Sequence, residues 1–463
     1  MIRRVCWKQD SSLSGLELDF TKPDGGIYNT IVFVGENGAG KTRILDSLSD
    51  FLNCKESFDF DFFEYEIDGE MYCLKPNPSD SFSYQHNRYR NGEMQKQNFW
   101  CKNNNYPKLM EDSEDIRSYG CAYSRARTGF ETKPIDKSTN KVLDKESHMP
   151  DDNFDYTDVK QTLIDVAEQD NAELNELCKE LIDGGRAASF EDEYSRFDNC
   201  SRISRFSTAF NDFFNDLKFK NVKLTDGKKL VLFEKTGRLI NIDDLSTGEK
   251  QIVFRGSYLL RNSHNLNGGV ILIDEPELSM HPKWQNRILN YYRNLFTSDG
   301  VQTTQMFIAT HSDYVLKSAL KDPDNVMVVL LQMKDDHTVV GPIEKRILPN
   351  IESSEIDYLI FGMSTYEYHI SLFGYYQDLN NCKNSIGNID KIIHKSKLYD
   401  HSWDKVGRNS KMESLPVYVR NFIDHPDEKI RNVDDAMLEQ SIGLLRALIK
   451  ECQTSKTLEQ SDK

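Results

Sequence analysis

Near the start of the chain, Gly35-Glu36-Asn37-Gly38-Ala39-Gly40-Lys41-Thr42 has the residue types and spacing to hold a triphosphate. The glycines let consecutive backbone N–H groups turn inward around a phosphate, at a helix N-terminus whose partial positive charge adds to the attraction. In such a loop Lys41 reaches the β- and γ-phosphates of ATP, and the Thr42 hydroxyl binds Mg²⁺. The run fits G-x-x-x-x-G-K-[ST], which is credible between a strand and a helix. Ile31-Val32-Phe33-Val34 reads as that strand, and Ile44, Leu45, Leu48, Phe51 and Leu52 recur at helical spacing after it.

A second chemical cluster begins at Val270-Ile271-Leu272-Ile273-Asp274-Glu275-Pro276, where four apolar residues deliver two acids to a strand end. Asp274 is expected on the Mg²⁺ shell, and Glu275 is expected to orient and deprotonate the attacking water. An apolar run followed by two acids is common, so its weight comes from its neighbours. Upstream lies Leu245-Ser246-Thr247-Gly248-Glu249-Lys250-Gln251. Downstream come Glu277-Leu278-Ser279-Met280-His281-Pro282 and then Phe307-Ile308-Ala309-Thr310-His311-Ser312.

In that order the motifs resemble those of ABC-type ATPases, specifically the branch with RecF, SMC/Rad50 and OLD-like proteins. The resemblance implies an α/β fold, an ABC-type P-loop ATPase head over residues 1–350. It also implies that Ser246, Gly248 and Glu249, at a helix N-terminus, cradle the phosphate of an ATP held by a second copy. The chain would then pair with itself head to tail around two ATPs and build higher homo-oligomers. His311 is implied as a γ-phosphate sensor, with a satisfied core histidine as the alternative. Trp7 or Tyr28 is a candidate to stack on adenine, and each could equally be core. Ser118 to Gly129 is the candidate loop approaching Mg²⁺, with Arg125 or Arg127 near phosphate, although the glutamine expected there is not evident.

The elements that position these residues must be drawn from 463 residues, long enough for two or three domains. No run approaches the roughly 18–20 apolar residues of a membrane span, and the first residues lack a signal-peptide core, so a soluble, cytoplasmic protein is expected. Nine scattered cysteines without a Cys-x-x-Cys pair indicate neither a disulfide framework nor a zinc ribbon. The net charge of −16 excludes a general nucleic-acid coat but not a local contact. Residues 151–200 hold fifteen acids against four basic residues, −11 of that total. With Leu163, Val166, Leu174, Leu177 and Leu181 at threes and fours, they read as part of an acidic helical insertion over about 130–200. A solvated face and a partner-docking surface are its two readings. Residues 53–115 read as irregular, with a strand near Phe58 to Tyr65 and an exposed loop from Asn87 to Lys108. Residues 229–242 read as a hairpin around Thr236-Gly237.

Residues 351–463 carry helical periodicity and are expected to form an all-α C-terminal domain. They show no Toprim acid cluster and no HNH pattern. Arg420-Asn421-Phe422-Ile423-Asp424-His425 resembles the R-polar-x₃-H element of HEPN ribonucleases, where Arg420 and His425 would act on RNA. The alternative is that Arg420 pairs with Asp424 and His425 ends a helix. Glu367 and His369 either join that cluster or edge the core. From Lys383 to Lys411 seven basic residues face three acids, with His394, His401 and Trp403 interleaved, a candidate nucleic-acid contact or a solvated loop.

An ABC-type head, a short helical insertion and a helical C-terminal domain together resemble the PtuA-type ATPases of Septu anti-phage systems. That resemblance implies an ATPase that multimerises and regulates a partner HNH nuclease. The rival readings are an ATP-gated HEPN-like ribonuclease resembling anticodon nucleases, and a RecF-like DNA repair ATPase.

Overall fold

Runs of buried β-branched and aromatic residues form the strands that carry the candidate site. The computed structural model describes residues 1–54, 59–77, 85–100, 112–126, 156–184, 190–225, 228–260, 268–298, 300–341, 346–350, 352–382, 385–407, 410–425 and 432–461. The chain divides into two units, Met1–Gly341 and Pro342–Lys463. Among the described residues no helix is long and apolar enough to cross a membrane.

The first unit begins with β1 (Ile2–Trp7), β2 (Glu17–Asp19), β3 (Thr30–Val34), α1 (Lys41–Leu52), β4 (Phe60–Ile67), β5 (Glu70–Pro76), β6 (Gln85–Arg90), β7 (Glu93–Trp100) and β8 (Cys121–Ser124). Helices α2 (Tyr156–Asp183), α3 (Phe190–Cys200) and α4 (Arg202–Phe213) follow, then β9 (Leu217–Thr225), β10 (Lys228–Lys235), β11 (Arg238–Asn241) and α5 (Thr247–Leu260). The unit closes with β12 (Val270–Asp274), α6 (Pro282–Leu295), the short pair β13 (Thr297–Ser298) and β14 (Val301–Gln302), β15 (Gln305–Thr310), α7 (Asp313–Ala319), β16 (Val326–Lys334) and β17 (His337–Val340).

The central sheet has the order β17-β16-β3-β15-β12-β8, with every pairing parallel except β16 to β17. β3, β12 and β15 are buried along their whole length, as expected of parallel strands covered on both faces. α1 lays Ile44, Leu45, Leu48, Phe51 and Leu52 into a core shared with Phe33, Phe60, Phe63 and Leu74. Each such side chain contributes roughly 1.5–3 kcal/mol of burial. Gln305, fully buried, clamps the N-terminal ends. Its oxygen accepts from the Ile2 N–H at 2.6 Å, and its amide nitrogen donates to the carbonyls of Ile2 (2.8 Å) and Tyr28 (3.1 Å).

The stretch from 53 to 115, expected to be irregular, is largely an antiparallel sheet of order β2-β1-β4-β5-β6-β7. Much of the expected exposed loop is the β6–β7 hairpin, turning at Asn91-Gly92 with φ of 45° and 85°, a natural tight-turn pair. Charge disguised these strands. Arg88 is 3% exposed, and its guanidinium ends on Asp112 (2.9 Å) and Glu114 (3.0 Å), so an inward position looks polar in the sequence. The hairpin at Thr236-Gly237 joins β10 to β11, as expected from its turn residues. Of the acidic insertion, residues 127–155 lie outside the described residues. α2 buries Leu163, Ile164, Val166 and Leu181, leaves Leu174 and Leu177 half-buried, and exposes Glu176, Lys179 and Glu180.

The second unit comprises α8 (Ser353–Phe361), α9 (Tyr366–Leu379), α10 (Ile386–Lys395), a two-residue ladder of β18 (Lys405–Val406) and β19 (Met412–Glu413), α11 (Leu415–Asp424) and α12 (Asp435–Ser461). Its described residues are therefore helical in their regular structure except for that ladder, a small departure from an all-α domain. Tyr368, Leu372, Phe373, Ile389, Ile442 and Leu445 build its core. Within it Glu355, fully buried, accepts from the backbone N–H groups of Ile347 (2.6 Å) and Leu348 (3.2 Å).

A buried ion pair leads into β8. Arg117, with no exposure, donates to Asp115 through its Nε (2.8 Å) and NH2 (2.7 Å) and lies 5.3 Å over the Phe51 ring of α1. Burial pushes the Asp115 carboxyl up, but the Arg117 guanidinium outweighs it and holds the group below its usual value. Asp115→Asn should cost about 3–5 kcal/mol at neutral pH, because the buried Arg117 charge loses the carboxylate that neutralises it. A folded-state pKa below the unfolded one contributes stability that is lost as pH falls. The difference between wild type and variant, read by urea denaturation of the full chain, should therefore shrink below about pH 4.

Candidate functional site

Four parallel strands deliver the chemistry to one edge of the central sheet. Val34 pairs with Thr310, Ala309 with Asp274, and Ile273 with Ser124. The residues that follow these strands, Gly35, His311, Glu275 and Arg125, therefore emerge together at the carboxyl ends, the usual place for a ligand on such a sheet.

The glycine loop is shaped by contacts that exclude side chains. A Cβ on Gly35 would lie 2.2 Å from the Leu331 carbonyl oxygen, and one on Gly40, at φ 94°, would lie 2.2 Å from Thr338 Oγ1. Gly38 adopts φ 85°. Lys41 folds its ammonium back over the loop, donating to the carbonyls of Gly35 (2.7 Å) and Glu36 (2.9 Å). Burial holds that ammonium below its ordinary pKa, against the opposing pull of Asp274, Glu275, Glu277 and Glu36. Thr42 donates its hydroxyl to Asp274 Oδ2 at 3.0 Å.

Asp274 is held from behind, since Arg255 NH1 donates to its backbone carbonyl at 2.7 Å. Burial and the neighbouring Glu275 raise its carboxyl pKa, and the Thr42 hydrogen bond opposes that. Among the described residues its Oδ1, which is buried, has no hydrogen-bond partner. A hydroxyl and a carboxylate with an unsatisfied oxygen form a hard-oxygen donor set that fits Mg²⁺. Glu275 bends the chain at φ 45°, and its Oε1 lies 3.5 Å from His311 Nδ1.

Glu277, which the sequence marked only as the first residue of the run downstream of the acid pair, organises this edge. It is 4% exposed, and its Oε1 accepts from the Thr310 hydroxyl at 2.6 Å and the His311 backbone N–H at 3.2 Å. Ser312 caps α7 and donates to Gln285 at 2.6 Å, fixing the turn that follows His311. An acid two positions after Glu275, near a Thr-His-Ser strand end, was the available signal.

The segment from Ser246 to Glu249, expected to be a second phosphate cradle, lies against different neighbours. Ser246 donates both its N–H and its hydroxyl to Glu249 Oε2, each at 2.8 Å, as α5 begins. Glu249 also accepts from Lys235 at 2.7 Å. Burial pushes its carboxyl up, but these three donors win and hold it below its usual value. Gly248 sits where a Cβ would meet the Trp284 ring at 2.9 Å and the Ser279 carbonyl at 3.1 Å.

Other expected residues lie as follows. Trp7 is core, 1% exposed and donating to Ser47 Oγ at 2.7 Å, so it cannot stack on a base. Tyr28 packs against the same core under Lys22. A groove of about 420 Å³ opens instead beside Thr338, lined by Gln9, Leu16, Glu17, His337 and Val339. Arg125 pairs with Asp46 of α1 at 2.8 Å, beside the edge where β8 ends, while Arg127 lies outside the described residues. In the second unit Arg420 bonds Asp424 and donates to Asn421 Oδ1 at 3.1 Å, and His425 caps α11. That is the helix-pairing alternative. Glu367 is exposed, whereas His369 is fully buried against Ser441 at 2.9 Å, so the two do not share a cluster.

Residues 117–317 match a protein-family model described as an AAA domain, putative AbiEii toxin, type IV toxin–antitoxin system. The chain is 22% identical over 377 residues to the retron Vc95 probable ATPase of Vibrio cholerae serotype O1 biovar El Tor, covering 66% of this chain and 70% of that one. It is 30% identical over 144 residues to the retron Ec83 probable ATPase of Escherichia coli, which spans 29% of this chain and only 25% of that relative. Among solved structures, an SMC head bound to the C-terminal winged-helix domain of ScpA matches with a TM-score of 0.42 at 10% identity, covering 73% of this chain and 97% of that one. The SMC head domain from Thermotoga maritima matches at 0.39 and 14% identity, over 74% and 99%.

The buried carboxylate of Glu277 makes Thr310 a measurable support. Thr310→Val removes one donor from it at nearly constant shape and should lower stability by about 1–3 kcal/mol, seen as a lower urea midpoint.

Proposed function

We propose that this protein, an ATPase of the ABC/SMC-like type, closes head to tail with a second copy around two ATP molecules and uses that closure to control a partner nuclease in anti-phage defence. The observation that carries the reading is that the glycine loop and the Ser246–Gly248 segment, the two proposed cradles, pack on different neighbours. The glycine loop is packed on β16 and β17, whereas the Ser246–Gly248 cradle is packed on Ser279 and Trp284. Helix N-termini of this kind attract phosphate, and an ATP held by one protomer meets the second cradle when a partner supplies it.

In the proposed cycle the N–H groups of Gly35 to Gly40 hold the phosphates, and Lys41 exchanges the carbonyls of Gly35 and Glu36 for β- and γ-phosphate oxygens. Thr42 and Asp274 would hold Mg²⁺, which supplies charge neutralisation on the phosphates. Glu275 accepts a proton from the water attacking the γ-phosphate. His311, 3.5 Å away, steadies that carboxylate and reads the γ-phosphate, while Glu277 fixes the His311 backbone. Ser246 is now satisfied by Glu249, and in the closed pair it would transfer its donors to the partner's γ-phosphate. The groove beside Gln9 and His337 is the proposed seat of the base, in place of Trp7 or Tyr28.

The retron ATPases this chain resembles and the toxin–antitoxin description of its matched family support a defence setting. The domain plan supports the finer reading of a PtuA-like regulator with an HNH nuclease partner. Arg420, engaged with Asp424 along its own helix, favours that reading over an intrinsic ribonuclease.

Glu275→Gln keeps the hydrogen-bonding shape of the site and removes the base. It should slow ATP turnover on the order of 10²-fold or more while ATP binding persists, and an ATP-dependent dimer should accumulate by light scattering. In cells carrying the gene with its native genomic neighbours the same substitution should abolish protection in a phage plaque assay. Native turnover in the variant would overturn the assignment of Glu275, and unchanged protection would overturn the link between hydrolysis and defence.

A further inference from the structure

We propose that His394, His401 and Asp404 form a binding site for one divalent transition-metal ion of the zinc class, separate from the nucleotide site. α10 presents His394 in its last turn, and a short 3₁₀ turn, His401–Trp403, brings the second imidazole back beside the first. The two rings are nearly parallel, 19° apart, with centroids 5.6 Å apart. One donor atom from each of the three residues lies within 4.8 Å of the others.

The hydrogen bonds assign the ring nitrogens. His394 Nδ1 lies 2.8 Å from the Asp390 backbone carbonyl, an acceptor only, so Nδ1 carries the proton and Nε2 carries the lone pair of the neutral ring. That lone pair faces Asp404 Oδ1 at 2.9 Å. Two acceptors at this distance need a cation between them, a proton or a metal ion. A ring whose other nitrogen is anchored on a backbone carbonyl is the usual dress of a metal-binding histidine. His401 Nδ1 stands 3.7 Å from the other Asp404 oxygen, on the side open to solvent. Donors around a tetrahedral zinc ion stand roughly 3.4 Å apart, and the Asp404 carboxylate lies 2.9 Å from His394 through one oxygen and 3.7 Å from His401 through the other.

The supporting shell is built as well. Tyr399 donates its hydroxyl to Asp404 Oδ1 at 2.8 Å and accepts from the Leu415 N–H at 3.0 Å. Asp390 Oδ1 accepts from the Ser414 N–H at 3.0 Å, so the carbonyl that anchors His394 is tied to the start of α11. Two imidazoles and one carboxylate suit Zn²⁺ and its first-row neighbours, whereas Mg²⁺ and Ca²⁺ select oxygen-only sets. Such an ion would pin the basic segment between α10 and α11.

The test titrates Co²⁺, whose visible d–d bands report its ligands, into full-length, chelator-treated, nucleotide-free protein carrying Asp274→Asn to silence the ATP-linked metal site. One Co²⁺ per chain, displaced by Zn²⁺, is the expected result. His401→Ala, at an exposed position that does not threaten folding, should abolish the bands. Tyr399→Phe should weaken binding on the order of tenfold. Absence of saturable Co²⁺ and Zn²⁺ binding, as a shared proton would produce, overturns the proposal, as does undiminished binding in His401→Ala.

Discussion

A hydroxyl and a carboxylate 232 residues apart, Thr42 and Asp274, meet at 3.0 Å, and the arrangement of the first unit follows from keeping them there. The contact requires β3 and β12 to lie one strand apart, with β15 between them and all three parallel and in fixed register. A slip of one residue in any of these strands would turn every side chain to the opposite face and separate the pair. Burial on both faces prevents that slip. α1 and the N-terminal antiparallel sheet share one core with the central sheet. The Gln305 clamp and the Arg117–Asp115 pair then tie the flanking elements to the ends of these strands.

The same edge carries a stability cost of its own. Among the described residues the buried Asp274 Oδ1 and Glu277 Oε2 have no hydrogen-bond partners, and the Lys41 ammonium is held against carbonyls in a place where burial disfavours its charge. Groups left in this condition destabilise a fold unless something binds them. In the proposed cycle ATP with its cation would supply what they lack, so nucleotide binding should stabilise the closed arrangement by mass action. Positive φ at Glu275 adds local strain at the residue proposed to act as base.

Much of this edge was legible in the sequence, because the constraints that make it are local. Glycines before Lys41-Thr42, an apolar run ending in Asp274-Glu275 and a strand ending in Thr310-His311 each announce a strand end that carries polar chemistry. What remained hidden was tertiary. Glu277 acquires its partners only when β12 and β15 pair. Thr338, which crowds Gly40, comes from a hairpin about three hundred residues downstream. The β6–β7 hairpin was masked because Arg88 occupies a buried position that a pattern reader assigns to solvent, although Asn91-Gly92 marked its turn. Trp7 was ambiguous for the opposite reason, since an aromatic residue near a nucleotide loop can serve the base or the core, and here Ser47 and burial make it core.

The central claim is that an ATP site is completed only by a second copy of the chain, and mixing two inactive variants tests it most directly. Lys41→Ala disables the glycine loop, and Ser246→Arg blocks the signature cradle, so each homodimer contains only defective sites. A mixed dimer contains one site in which both halves are intact. An equimolar mixture should therefore recover roughly a quarter of wild-type ATP turnover, from the symmetry of a head-to-tail pair. Turnover no greater than the sum of the two variants measured alone would contradict the account.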